Sequence, residues 1–417
     1  MVHMLAAGVF FTGFIKDLIC LPRPLSPPLQ RISRSASHAL EYGFPSTHSS
    51  NAVSVAIYSI HAVRTSDNPS IQAYSGSIQA GFYFYATSIV IGRLYCGMHG
   101  FFDVFIGSLV GAIIALVQIQ LGPLFDDWVS TGPLNNIFIT TLVILVLVRI
   151  HPEPADNCPC FDDSVAFSGV FIGIQLGCYT FARSPYSISD PMPSTVPFSI
   201  VGAGWPITVL RILLGVLMVF TWRAVAKPTL LRILPPIFRI IGSLGLLLPR
   251  KFFLNVNQYN QVPTLRKDDN VIPPASEIPS MLTSLRYPRK RAISVGPQSE
   301  ADAYETMAFR ERKRRESQGQ SGLSPPRSPE LASVREEAAN GDVTPINGST
   351  REQAVTFPPD SVKGDEDDEA LFRKLLRPRV RYDVEVVTKL IVYMGIAWIS
   401  LDFNPHLFVW LGLAPAR

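Results

Sequence analysis

Most of residues 1–255 of this 417-residue chain is a succession of apolar stretches separated by short polar joints, a pattern that permits few folds. In hydrocarbon every backbone N–H and C=O must be satisfied internally, and open sheet edges do not occur there. The stretches are therefore read as membrane helices, with candidate spans at 1–15, 49–63, 77–92, 101–121, 134–150, 165–183, 206–222, 234–248 and 389–413. The expectation is an all-α polytopic membrane protein. Segment 234–248, set between Pro235-Pro236 and Pro249-Arg250-Lys251, is the most ambiguous of them. Phe82, Tyr83, Phe84 and Tyr85 stand where an aromatic belt would meet the interface. Segment 1–15 falls short of the ~20 residues a span needs. It also has neither a basic leader nor a small-residue cleavage site before Lys16, so it reads as an abbreviated first span with further membrane sequence expected ahead of it.

Only 17% of residues are charged, against about 25% in soluble domains. The deficit is local. Residues 1–255 form the expected transmembrane domain, 256–388 a disordered cytosolic-type linker, and 389–417 a C-terminal span. The linker holds Arg312-Lys-Arg-Arg315, two Ser-Pro sites at Ser324 and Ser328, and the acidic block Asp365–Glu369. Such a composition buries too little apolar surface to offset ordering entropy. Five cysteines are too few and too scattered for a disulfide scaffold. Cys158 and Cys160 are a lone pair of thiols, and no metal ligand is expected of them. Asp402, beside Asn404-Pro405, reads as a local cap.

Three polar clusters interrupt the apolar quarter of the chain: Lys16-x6-Arg23-Pro24, Pro45-Ser46-Thr47-His48, and Arg93-x5-His99-x3-Asp103. Ionisable residues at membrane depth are costly and default to a functional reading. Counting crossings puts all three clusters on one side of the membrane. Lys16, Arg23 and Arg93 supply cations for phosphoryl oxygens, the arginines as bidentate forks and the lysine as a point charge. Singly, each is an interfacial anchor. Beside two histidines they form an anion site.

Ser46 and Thr47 precede an apolar helix, where a hydroxyl caps and the first N–H groups bind anions. His48 is then placed to protonate a leaving oxygen. His99 and Asp103, four apart, are expected to share a helical face. The carboxylate would orient the imidazole and leave its other nitrogen as a nucleophile toward phosphorus. His38, His61, His151 and His406 have no comparable neighbours. No carboxylate cluster accompanies the motifs, so a two-metal mechanism has no ligands and no cofactor is expected.

The ordered triple resembles the signature of the type 2 phosphatidic acid phosphatase superfamily, which shares its oxyanion site with vanadium haloperoxidases. Thr47 stands where many members have Gly, and Gly92 where many have Ser. Tyr42–His48, Gly92–His99 and the loop His151–Asp163 look most like fungal sphingoid-base-phosphate phosphatases. The resemblance covers roughly residues 5–250 and the terminal span. It implies a helical bundle in the endoplasmic reticulum membrane. It also implies hydrolysis of dihydrosphingosine or phytosphingosine 1-phosphate through a phosphohistidine, with His99 as nucleophile, Asp103 orienting it, and His48 as general acid. Lys16, Arg23, Ser46, Thr47 and Arg93 would bind phosphate. The partners implied are the lipid substrate and the membrane, not nucleic acid. Phosphatidate, diacylglycerol pyrophosphate and polyprenyl diphosphate remain open as substrates, as does an inactive lipid-binding scaffold.

Overall fold

The computed structural model describes residues 1–26, 29, 31–33, 41–153, 158–188, 196, 198, 200–246, 250–262, 293–294, 300–321 and 380–413. Its helices are α1 (Val2–Ile19), α2 (Thr47–Arg64), α3 (Pro69–Ala73), α4 (Ser75–Tyr95), α5 (Phe101–Thr131), α6 (Leu134–Ile150), α7 (Cys160–Ala182), α8 (Ile200–Ser243), α9 (Glu300–Ser321), α10 (Asp383–Trp398) and α11 (Asn404–Trp410). The described strands are one two-residue pair, Ile32–Ser33 antiparallel to Ile293–Ser294. The protein is all-α and polytopic.

Five helical segments are long and apolar enough to cross a membrane: Val2–Ile19, Phe101–Thr131, Cys160–Ala182, Gly202–Ser243 and Asp383–Trp410. Three expected spans, 49–63, 77–92 and 134–150, form helices α2, α4 and α6 but are not among them, the last because it has only 17 residues. In α2 the reason is visible: Ser49, Ser50, Ser54 and Ser59 line its buried side, so it packs by small polar residues. The expected pair 206–222 and 234–248 is also corrected. Both fall in α8, whose backbone is non-helical only at Gly204. Pro228, Pro235 and Pro236 lie within it, each removing a donor while holding a φ that suits a helix.

Glycines set the closest helix contacts. A Cβ on Gly107 of α5 would stand 2.5 Å from the Ser46 carbonyl, and one on Gly111 would strike the Ser50 carbonyl. On α7, Gly169 and Gly173 meet the Leu390 and Met394 carbonyls of α10 in the same way, and Gly177 approaches Leu401. Small residues four apart let helix backbones approach where lipid supplies no hydrophobic drive. This packing seats α2 on α5 and so carries the second motif to the third.

Between α10 and α11 a π-helical turn, Ile399–Phe403, holds Asp402. That residue is not a cap: its carboxylate accepts from Thr180 Oγ1 of α7 at 2.7 Å. Within the expected linker, α9 is helical, which suits its strong helix formers and its i,i+4 pair Glu311–Arg315. Among the described residues, 25–26 and 300–321 belong to one compact unit and the others to a second. The Ser-Pro sites and Asp365–Glu369 lie outside the described residues, as does His38.

Candidate active site

Lys16 lies in the last turn of α1, and Cys20 closes the helix in a left-handed conformation (φ 55°) that turns the chain toward Arg23. Both cations are buried, at 2% and 6% exposure. Arg23 is held by Glu41, Met98 and His99 among its partners. Nε donates to the Glu41 carbonyl (2.8 Å), one terminal nitrogen to the Met98 carbonyl (2.6 Å) and to His99 Nε2 (3.1 Å), and the other to Glu41 Oε2 (3.2 Å). The Pro24 carbonyl accepts from Arg31 Nε and a terminal nitrogen at 3.1 and 2.6 Å, which fixes the turn after Arg23.

The first two motif loops are clasped at Gly43. Its N–H donates to the Leu21 carbonyl at 2.8 Å. A Cβ there would lie 2.8 Å from the Pro22 carbonyl oxygen, so only glycine fits. Its own carbonyl faces His99 Nδ1 at 2.8 Å. A carbonyl accepts and a guanidinium donates, so these two neighbours assign the tautomer: Nδ1 carries the proton, and Nε2 keeps its lone pair beside Arg23. Burial first, then the charges of Arg23 and Lys16, push the His99 pKa far below its usual range, so the ring is neutral at physiological pH.

The expected His99–Asp103 arrangement is different in the structure. His99 precedes α5 in a turn with Gly97 at φ 62°, so the two residues do not share a helical face. Asp103 is the third residue of α5, and its Oδ2 accepts from the Gly100 N–H at 2.7 Å. It stands 3.9 Å from His99 Nδ1, near enough to act by charge while Gly43 makes the hydrogen bond.

Ser46 is the N-cap of α2, its Oγ accepting from the Ser49 N–H at 3.4 Å and the Ser49 hydroxyl at 3.0 Å. Its own N–H donates to the Asp103 carbonyl at 3.0 Å, which ties motif two to motif three. Thr47 Oγ1 pairs with Thr12 Oγ1 of α1 at 2.9 Å, so this side chain braces helices. His48, the next residue, is exposed at the start of α2. Arg93 ends α4, and its Nε is buried with no hydrogen-bond partner among the described residues, a donor suited to an anion. At Gly92 an added Cβ would meet nothing within 4 Å.

Sequence reasoning missed Glu41, Gly43 and Arg31. Glu41 bridges the cations, with Oε2 at 3.1 Å from Lys16 Nζ and 3.2 Å from Arg23. Its only signal was an acid four residues ahead of Pro45-Ser46-Thr47-His48. Elsewhere, Cys158 and Cys160 are bonded to each other. An apolar cavity of about 350 Å³, lined in part by Phe10, Phe11, Trp128 and Phe171, lies along α1 away from the cluster.

Residues 1–125 match the model of the PAP2 superfamily. The chain is 38% identical over 238 residues to a dihydrosphingosine 1-phosphate phosphatase of Schizosaccharomyces pombe, covering 57% of this chain and 56% of that one. It is 33% identical over 229 residues to one of Saccharomyces cerevisiae, covering 55% and 54%. A lipid phosphate phosphatase delta of Arabidopsis thaliana is 31% identical over 183 residues, 42% of this chain and 43% of that one. The chain therefore spans about half the length of the relatives it matches. No solved structure matches it.

Proposed function

We propose that the protein is a lipid phosphate phosphatase acting on sphingoid base 1-phosphates through a phosphohistidine, since residues 1–125 match the model of the PAP2 superfamily. One observation carries this reading: a buried neutral imidazole whose Nε2 lone pair is held among cations. Two of its relatives are named for dihydrosphingosine 1-phosphate, which supports the substrate class.

In the proposed cycle Lys16, Arg23 and Arg93 neutralise the phosphoryl oxygens, and His99 Nε2 attacks phosphorus as the bond to the lipid oxygen breaks. Protonated His48 gives its proton to the departing alkoxide, releasing the free base. Neutral His48 then takes a proton from water as that water attacks the phosphohistidine. Inorganic phosphate leaves and Nε2 recovers its lone pair. Asp103, close to Nδ1, stabilises the positive charge the ring gains on attack. Every step is assigned to side chains of this protein. The resemblance described above carries the expectation of an endoplasmic reticulum location, which imaging of the tagged full chain tests.

The deciding experiment measures phosphate release by the purified protein in detergent with EDTA. The substrates are dihydrosphingosine 1-phosphate, phosphatidate and a polyprenyl diphosphate. Release chiefly from the first is expected. Release chiefly from another would reassign the substrate, loss on chelation would remove the metal-free chemistry, and none from any would leave a lipid-binding scaffold.

A further inference from the structure

A site built to neutralise a phosphate dianion has a carboxylate at its centre. Glu41 Oε2 lies 3.1 Å from Lys16 Nζ and 3.2 Å from an Arg23 terminal nitrogen. The other terminal nitrogen of the same guanidinium touches His99 Nε2 at 3.1 Å. The carboxylate is therefore one guanidinium away from the nucleophilic atom, with its side chain 12% exposed. For phosphate alone this is a poor arrangement. A phosphomonoester carries about −1.5 to −2 charge at neutral pH, and a like charge in a shielded pocket repels it.

The arrangement suits a headgroup that brings its own cation. A sphingoid base 1-phosphate has an ammonium on the carbon adjacent to the ester carbon. Its headgroup is thus an anion and a cation side by side, and the pocket offers Lys16, Arg23 and Arg93 beside Glu41. We infer that Glu41 is the ammonium subsite of this phosphatase: as phosphate takes over Lys16 and Arg23, the Glu41 carboxylate pairs with the substrate amine. The inference rests on the phosphatase reading above and deepens it. Amine-free phosphates, phosphatidate among them, leave the Glu41 charge uncompensated and are disfavoured by repulsion as well as by a missing contact.

The test uses a matched pair that differs in one charge: dihydrosphingosine 1-phosphate and its N-acetylated form. Full-length wild type should prefer the free amine by about 10- to 100-fold in kcat/KM, the range of a hydrogen bond to a charged group. In Glu41→Gln that ratio should collapse toward unity, and in Glu41→Asp it should be partly kept. A resting counter-ion role alone would shift both substrates by the same factor and leave the ratio intact, which overturns the inference. Wild type that cleaves both forms equally well also overturns it while the phosphatase reading stands. No release by wild type from either form overturns the phosphatase reading itself, and the subsite with it. Should Glu41→Gln fail to fold, wild type still decides the matter. Free dihydrosphingosine should inhibit at least about tenfold more strongly than its N-acetyl form, and equal inhibition would refute the subsite.

Discussion

His99 and His151 are nearly the same object in two regions of one protein. Each is buried, at 4% and 3% exposure. Each has Nδ1 at 2.8 Å from a backbone carbonyl, that of Gly43 or Pro152, and each has a carboxylate 3.9 Å from Nδ1, Asp103 or Asp17. The acids differ: Asp103 accepts from the Gly100 N–H, while both Asp17 oxygens are buried with no hydrogen-bond partner among the described residues. The other nitrogen differs too. His99 Nε2 meets Arg23, whereas His151 Nε2 meets the Ser164 hydroxyl at 3.0 Å, inside a cage of Phe10, Phe14 and Phe161 rings centred 5.3 Å away. Burial, tautomer and a nearby acid are therefore insufficient to make a reactive histidine. In the proposed function, what separates the two is the Arg23 guanidinium at His99 Nε2, one of a set of cations assigned to hold a phosphoryl group.

The largest expected effect tests that separation directly. His99→Ala should lower kcat by more than about 10³-fold and abolish the acid-labile phosphoenzyme, because no other group replaces the nucleophile. His151→Ala should lower the unfolding temperature through a cavity among the rings, while the folded fraction turns over within about tenfold of wild type. A phosphoenzyme that survives in His99→Ala, or one that vanishes in folded His151→Ala, would erase the distinction.

Asp103→Asn refines the comparison. If the carboxylate held the tautomer, an amide would cost as much as losing the ring. Here the Gly43 carbonyl does so, and Asp103 acts by charge across 3.9 Å. Coulomb attraction at that range in a partly shielded site reaches a few kcal/mol, so kcat should fall about 10²-fold. A loss equal to that of His99→Ala would return the orienting role to Asp103.

Gly43→Ala should come next, at about 10- to 30-fold in kcat. A Cβ 2.8 Å from the Pro22 carbonyl must push that strand of chain away and carry the Nδ1 acceptor with it. An unchanged kcat, read together with a wild-type unfolding temperature, would mean that the carbonyl is dispensable.

The residues legible in the sequence are those whose spacing reflects local geometry. Lys16 and Arg23 sit either side of one helix end, and Arg93 and His99 either side of another, so their separations of seven and six were informative. That His99 and Asp103 do not share a helical face was not legible, because the helix begins only after the N-cap at Gly100, between them, and His99 lies in the preceding turn. Glu41 and Gly43 act across 25 and 56 positions, a distance no local pattern encodes. The continuity of α8 through Pro228, Pro235 and Pro236 was not legible either, because a proline inside a helix removes a donor and reads in the sequence as a break.

The smallest effect concerns stability. Burial holds His151 at about 4, below its usual 6.5, and the Arg250 charge adds to this while the Pro152 hydrogen bond opposes it. Between those values the unfolded chain binds a proton that the folded chain refuses. Stability from this group is therefore full above pH 6.5, falls as pH drops, and levels off below about 4. One pH unit into that window the loss is about 1.4 kcal/mol. His99, shifted in the same direction, contributes a parallel loss that continues to lower pH. Thermal unfolding in detergent from pH 7 to pH 4 should show a falling midpoint for wild type and a shallower fall for His151→Gln, with no phosphate release needed for the readout. Equal slopes in the two proteins would mean that His151 is accessible to protons in the folded state. The pairing of a structural and a reactive histidine in matching surroundings would then not hold.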